Sequence, residues 1–206
     1  MKVQEPFEMP KDIEDIDWFF LNNRHKNREF YKVCVGKDYQ YKKKLFAINE
    51  YASVYQHKSE FFCLDKELKK VTYYMKYQVD TKPKIGQYVW QSLVWADPEA
   101  QGSYISGIAK KMFFEYLLPK FHVITTDSEQ SWRGKRFWQI RIGDALRMGL
   151  NVYFYDFQSK ELVKLQKYDD LQDYQEKYDI WGETDKHLLK RMVITNKDLN
   201  EIKRIV

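Results

Sequence analysis

From Gln87 to Phe157 the chain reads strand, Gly-containing turn, helix, strand, polar loop, helix and strand without a break, and this order restricts the fold more than any other feature. The first strand is aromatic, Tyr88-Val89-Trp90-Gln91-Ser92-Leu93-Val94-Trp95. Gly107-Ile108-Ala109 then opens an apolar helix in which Ile108, Met112 and Tyr116 form one stripe, with Ala109, Phe113 and Leu117 beside it, and Pro119 ends it. Phe121 to Thr126 is apolar and β-branched, which predicts a strand. Asp127-Ser128-Glu129-Gln130-Ser131 supplies N-cap candidates for a helix bearing Trp138, Ile142, Ala145 and Met148, closed by Gly149; Leu150 to Phe157 returns as a strand. A helix that starts at a Gly turn after a strand presents unpaired N–H groups and a partial positive charge, which suits a phosphate-bearing cofactor.

Upstream, three strands in meander order are expected at Glu60 to Leu64, Lys70 to Val79 and Gln87 to Ala96, joined by polar connections containing Pro83 and Gly86. In the second of these, Val71, Tyr73, Met75 and Tyr77 alternate with Thr72, Tyr74, Lys76 and Gln78, the period of a half-buried strand. Tyr31 to Val35 reads as a strand. Leu45, Ile48, Tyr51, Ala52 and Tyr55 recur at three and four, which predicts a helix from Lys44 to Tyr55, and Asp12 to Asp17 fits the acidic first turn of another before Trp18-Phe19-Phe20-Leu21. Beyond Ser159 the acidic, amide-rich segment around Asp169 to Asp173 reads as irregular, with a last strand from Leu188 to Thr195 and a helix-like tail from Lys197. No Pro/Gly/Ser linker or internal repeat interrupts the chain. The expectation is one α+β domain over 1–206, a mixed, mainly antiparallel sheet flanked by helices, with a core at 31–157 and a C-terminal extension at 158–206.

The 206 residues are 44% apolar and 17% aromatic, enough for a buried core in spite of 32% charged residues. No run of about 18 apolar residues exists, so no membrane span is expected. The polar start Met1-Lys2-Val3-Gln4-Glu5-Pro6 lacks the apolar stretch of a signal peptide, so the expected location is the cytoplasm. Cys34 and Cys63 have no CxxC partner, and His25, His57, His122 and His187 are dispersed, so neither a zinc site nor a nucleophile–base pair is indicated. The formal charge of +5 is mild, but it is clustered. Tyr39-Gln40-Tyr41-Lys42-Lys43-Lys44 interleaves rings with cations, and Arg133, Lys135, Arg136, Arg141 and Arg147 share one helix. Each fits either a solvated surface or a phosphate contact.

The meander, the Gly-led helix and the strand–helix–strand that follows resemble the acyl-CoA N-acyltransferase (GNAT) fold. The residues that carry the likeness are Val94-Trp95-Ala96-Asp97-Pro98-Glu99, then Gly107-Ile108-Ala109-Lys110-Lys111-Met112-Phe113, then Thr126 to Trp138. The last piece is similar to small GNAT-like proteins of bacteriophages and mobile elements, in which case the location is the host cytoplasm. The likeness covers about residues 60 to 157. It implies acetyl-CoA or another acyl-CoA as co-substrate, with Val94, Trp95, Ser106, Gly107, Ile108, Ala109, Ser131 and Arg133 at the cofactor. In the family the turn reads Gln/Arg-x-x-Gly-x-Gly/Ala and its amides hold the pyrophosphate. Here Gly107-Ile108-Ala109 matches the second half, while Tyr104 stands at the Gln/Arg position.

Acyl transfer to an amine needs a base to take the ammonium proton, donors for the oxyanion and an acid for the leaving thiolate. Asp127 and Glu99 are the carboxylates at the expected strand ends, each able to act through a water. Asp127 equally fits an N-cap or Asx-turn. Tyr153, which shares a strand face with Tyr155, is the candidate acid, with core packing as the alternative. Trp90 and Trp95, five apart on one strand, point to opposite faces, and Trp138 fits the core. Arg133, Lys135 and Arg136 sit in a first helical turn, where cations oppose the dipole. They fit a CoA phosphate, a polynucleotide backbone or solvent. The acceptor is an amine on a small molecule, nucleic acid or protein. The other reading is a catalytically inactive GNAT-fold protein that binds a host protein or nucleic acid.

Overall fold

The computed structural model describes residues 24–82, 84–98, 100, 107–125, 132–178, 180 and 189–202. The protein is mixed α+β with mostly antiparallel strands, and it forms two compact units: 1–77 with 92–108, and 78–91 with 109–206. The strands are β1 (Lys43–Ala47), β2 (Ala52–His57), β3 (Glu60–Asp65), β4 (Lys70–Lys82), β5 (Gly86–Ala96), β6 (His122–Ile124), β7 (Asn151–Asp156), β8 (Leu162–Lys164) and β9 (Lys190–Thr195). The long strands β4 and β5 contribute residues to both units. Among the described residues no helix is long and apolar enough to cross a membrane.

In the first unit the strand order is β1-β2-β3-β4-β5, with antiparallel ladders from β1 to β4. Helix α1 (Arg24–Val35) packs on it through Phe30, whose ring lies 5.9 Å from Tyr74 and 6.4 Å from Phe62. The β3–β4 register slips between Cys63 and Leu64, and beside the slip the Asn27 amide pairs with both backbone groups of Val71, at 2.8 and 3.1 Å. Buried Asn27, Phe30 and Cys34 are three and four apart, so the segment is helical and the strand expected at Tyr31 to Val35 is corrected.

The helix expected from Lys44 to Tyr55 is likewise corrected to the hairpin β1–β2. Asn49 is the cause: its Oδ1 accepts from the N–H groups of Tyr51 and Ala52 at 2.9 and 2.7 Å, an Asx-type turn that reverses the chain. The meander β3, β4, β5 stands as expected. β4, however, is buried on both faces from Val71 to Met75 rather than half-buried, since Thr72 and Tyr74 are as enclosed as their neighbours.

In the second unit the order is β4-β5-β6-β9-β7-β8. β5 and β6 are parallel; β6 with β9, β9 with β7 and β7 with β8 are antiparallel. Helix α2 begins at Ile108–Lys111 and continues as a π-helical segment, Met112–Leu117, closed by the Leu118 N–H bonding to Phe113 O at 2.8 Å. Helix α3 (Trp132–Arg147) buries Trp138 against Phe113, 5.1 Å between rings. Helix α4 (Asp169–Tyr178) falls in the segment expected to be irregular. It stacks Tyr174 and Tyr178 on Phe154, at 4.9 and 4.6 Å. Helix α5 (Leu199–Ile202) follows β9, within the expected tail. The helix expected around Asp12 to Leu21 lies outside the described residues.

Candidate functional site

Gly107 adopts φ +94°, a conformation L side chains rarely take, and no heavy atom lies within 4 Å of where its Cβ would stand. Backbone shape, not crowding, therefore requires glycine, and the space in front of it is open. Ile108 follows at 1% exposure and anchors the helix start, while Ala109 is half-buried. The N–H groups of a first helical turn have no intrahelical partner, so this turn offers donors to an anion.

The strand after α2 runs parallel to β5, but only Tyr88, Val89 and Trp90 face His122, Val123 and Ile124 in the ladder. The next residue, Thr125, gives its N–H to Met192 of β9 at 3.0 Å. Three residue pairs of this ladder fall among the described residues, and Thr126 lies outside them. Gln91 is the next residue of β5, and its Oε1 is buried without a hydrogen bond.

Val94 is half-buried on β5. Trp95 is 4% exposed and belongs to the cluster of Phe30, Phe62, Leu64, Tyr74 and Leu93, so its ring serves the core of the first unit. Trp90, on the other strand face, packs with Ile85, Tyr88 and Tyr155 in the second. Glu99, Ser106, Asp127 and Ser131 lie outside the described residues, as does Tyr104; Arg133 belongs to the first turn of α3.

Tyr153 is fully buried. Its hydroxyl donates to Asp198 Oδ1 at 2.8 Å and accepts from the Leu199 N–H at 3.0 Å. Burial, then the Asp198 bond, push its pKa up to about 12. Asp198 also accepts from the Asn200 N–H at 2.9 Å and from Lys164 Nζ at 3.0 Å, so it caps α5. The Asn200 amide first, then Lys164 and Tyr153, hold its carboxyl down at about 2. Both oxygens of the pair are committed to holding α5.

No protein-family model, curated protein or solved structure matches this chain. The side chains themselves must therefore indicate what the protein does. Among the described residues no group of three or more His, Cys, Asp or Glu is gathered for a metal ion.

The strongest concentration of charge lies on α2 and α3, around a residue that was not singled out from the sequence. Asp144 is 7% exposed and receives Arg147 at 2.5 Å, Arg141 at 3.3 Å and Lys110 at 3.7 Å. Burial alone would raise its carboxyl; the Arg147 hydrogen bond and the charges of Arg141 and Lys110 bring it below the usual range. One carboxylate is thus shared by three cations. The sequence signal was its isolation, since Asp144 is the one acidic residue of α3.

His122 is a second buried titratable group, with Nδ1 2.7 Å from Thr195 Oγ1. Burial, and then the Lys197 charge, lower its pKa against a raising hydrogen bond to the Ile85 backbone. Both cysteines are buried thiols; burial pushes Cys63 up to about 11, which makes it a poor nucleophile.

Proposed function

We propose that this chain is a GNAT-like acyltransferase that moves an acetyl or related acyl group from acyl-CoA to an amine. The observation that carries the reading is the unit of β5, the Gly107 turn, α2 and β6. Two parallel strands, β5 and β6, are joined through a helix whose first residue follows a left-handed glycine facing open space. In open sheets of this kind ligands bind beyond the carboxyl ends of parallel strands, where helix N-termini meet phosphates. In this reading an extended pantetheine amide lies along the β5 backbone beyond Trp90. The buried, unbonded Oε1 of Gln91, the residue after Trp90, supports the same placement.

In this reading the Gly107–Ala109 amides hold the pyrophosphate and the backbone at Val94 and Trp95 borders the acyl arm. Ser106, Ser131 and Arg133 remain its further cofactor contacts. The amine must lose its proton before its nitrogen bonds to the thioester carbonyl, and Asp127 or Glu99 takes that proton through a water; the C–S bond then breaks, CoA leaves as the thiolate, and the same proton neutralises it. Tyr153 is not carried forward as the acid, because its hydroxyl already donates to Asp198.

Calorimetry with acetyl-CoA tests the proposal. Micromolar binding is expected, reduced at least about tenfold in Gly107→Glu, which sets a carboxylate against phosphate on a strained backbone. Absence of binding at millimolar acetyl-CoA, or binding untouched by Gly107→Glu, removes the cofactor claim. One observation favours the inactive binding protein instead: Tyr104 stands where the resembled turn has Gln or Arg. Acetyl-CoA binding with no hydrolysis or transfer to any amine would select that reading.

A further inference from the structure

The geometry points to His122 as a pH-sensitive latch: its neutral ring ties the β4–β5 turn to the β9–α5 connection, and a second ring proton releases both. The device stands apart from any use of acyl-CoA. His122 opens β6 and is 6% exposed, and the partners named below lie with it in the second unit. On one side Thr195, fully buried, accepts the Lys197 N–H on Oγ1 at 3.0 Å, so its own hydrogen points at His122 Nδ1, 2.7 Å away. Nδ1 is therefore the acceptor, and the one proton of the neutral ring is on Nε2. On the other side the ring donates that proton to the Ile85 carbonyl. Gly86 follows at φ +86°, and a Cβ there would stand 3.8 Å from Nε2, so the turn backbone lies against the ring. One side chain thus bonds two connections that are distant in sequence.

That arrangement has no place for a second proton, which would go on Nδ1 and face an oxygen that has been donating. Thr195 would then have to turn its hydrogen away from its acceptor at a fully buried site, and a buried donor would be left unsatisfied. The imidazolium would also lose its hydration, and the Lys197 charge would repel it; burial is the larger effect, and together they hold the ring below its ordinary 6.5. The other charged groups of the surrounding elements have partners of their own. Asp80 takes the hydroxyl of Tyr88, the residue opposite His122 on β5, and pairs with Lys82. Lys84 donates to the Lys160 carbonyl, and Asp198 accepts from Tyr153 and Lys164. Glu115 is the carboxylate of α2, which packs on β6. The charged ring reaches water when one of the two connections swings away. Ile85 and Leu199, one beside each bond, belong to the cluster of Tyr88, Ile124, Tyr153 and Val193, so release uncovers part of that core rather than unfolding the chain.

The test uses the full chain, with nuclear magnetic resonance of the His122 ring and hydrogen exchange of single amides from about pH 8 to 5. The ring should titrate below 6.5, and the protection of the Ile85 and Lys197 amides should fall with it, by up to about tenfold per pH unit, because each opening takes up one proton. Both amides should stay at least about tenfold less protected than that of Val193 in the β9 ladder, since the opening is local. His122→Gln keeps a donor and an acceptor but does not titrate, so its protection at both amides should be flat. Lys197→Gln removes an exposed charge and keeps the backbone N–H that Thr195 accepts; it should move the ring midpoint and the loss of protection up together, towards 6.5. That variant decides the matter if His122→Gln does not fold. A ring midpoint at or above 6.5, protection that is constant over the range, or the same loss in His122→Gln would each overturn the latch. So would equal protection of Ile85, Lys197 and Val193 at every pH, which would mean that the ring titrates only when the whole chain unfolds.

Discussion

Among the described residues the first unit buries the carboxylates Asp65 and Asp97 and the second buries Asp144, and Asp97 and Asp144 are held differently. In the first, Asp97 is 4% exposed and meets Lys70 at 2.6 Å, with its own N–H bonded to Thr72 O at 3.0 Å. In the second, Asp144 meets Lys110, Arg141 and Arg147 together. The Lys70–Asp97 pair joins β4 to the end of β5, whereas Asp144 gathers cations from both α2 and α3. The same contrast runs through the polar groups of the first unit. There Glu60 accepts from Tyr39 at 3.1 Å and from Tyr74 at 2.9 Å, and Asn27 satisfies the backbone of Val71. Polar groups that satisfy one another within the unit are scaffold.

Removing the two carboxylates separates these roles most sharply. Asp97→Asn removes a buried negative charge from beside the Lys70 ammonium, 20% exposed, and should destabilise the chain by about 3 kcal/mol in urea unfolding. Asp144→Asn should cost less, about 1–2 kcal/mol, because the exposed Arg147 and Lys110 turn to water and Arg141, 16% exposed, is the one enclosed cation of the three. If Asp144→Asn proves the more destabilising, the distinction between the two carboxylates fails.

The two units also differed in how much of them the sequence revealed. The alternating half, β5 to β7, was read correctly because its punctuation is local: Gly107 before α2, Pro119 after it, and Gly149 at φ +71° ending α3. The first unit misled because its signals are carried by asparagine. The period that suggested a helix from Lys44 to Tyr55 mixes residues of β1, a turn and β2, and only Asn49 marks the reversal. In α1 the buried stripe starts at Asn27, a polar residue whose partner lies 44 positions away in the sequence, so its burial cannot be inferred locally. Helix α4 hid for a similar reason. Its buried contacts are Leu171, Tyr174 and Tyr178, spaced three and four, but the surrounding Asp and Gln residues obscured them. Of the candidate site, the Gly107 turn was legible, whereas the Asp144 cluster joins two helices and appears only once α2 and α3 pack.

A smaller effect, on pH, probes the α5 anchor of the second unit. The Asp198 carboxyl sits near 2 in the folded state against about 4 in an unfolded chain, so its stabilisation is fully present above about pH 4 and disappears as pH falls through 2. The stability gap between the natural chain and Asp198→Asn should therefore close over that window. His122 acts higher and in the same direction: its folded pKa lies below the unfolded 6.5, so the folded state binds fewer protons and stability declines as pH drops below about 6.5. His122→Gln should remove that upper limb and leave the lower one. Unfolding midpoints of the three proteins from pH 2 to 8 check both. A gap at Asp198 that persists unchanged to pH 2 would mean that the carboxylate does not hold α5 in solution.

The smallest expected effect compares two glycines whose backbones are alike. Gly107 at φ +94° and Gly149 at φ +71° both face open space, with no atom within 4 Å of a Cβ position. Alanine at either should therefore cost only the penalty of left-handed backbone, about 1 kcal/mol, with no clash added. Their roles differ. Gly149 ends α3, which any residue tolerating that conformation can do, so Gly149→Asn should recover most of the loss. Gly107 opens the turn proposed to cradle a pyrophosphate, so Gly107→Ala should lose acetyl-CoA affinity beyond its effect on folding, while Gly149→Ala leaves affinity unchanged. Unfolding and calorimetry on the same preparations decide the matter, because two glycines that respond identically in both measurements would make the Gly107 turn a helix boundary and nothing more.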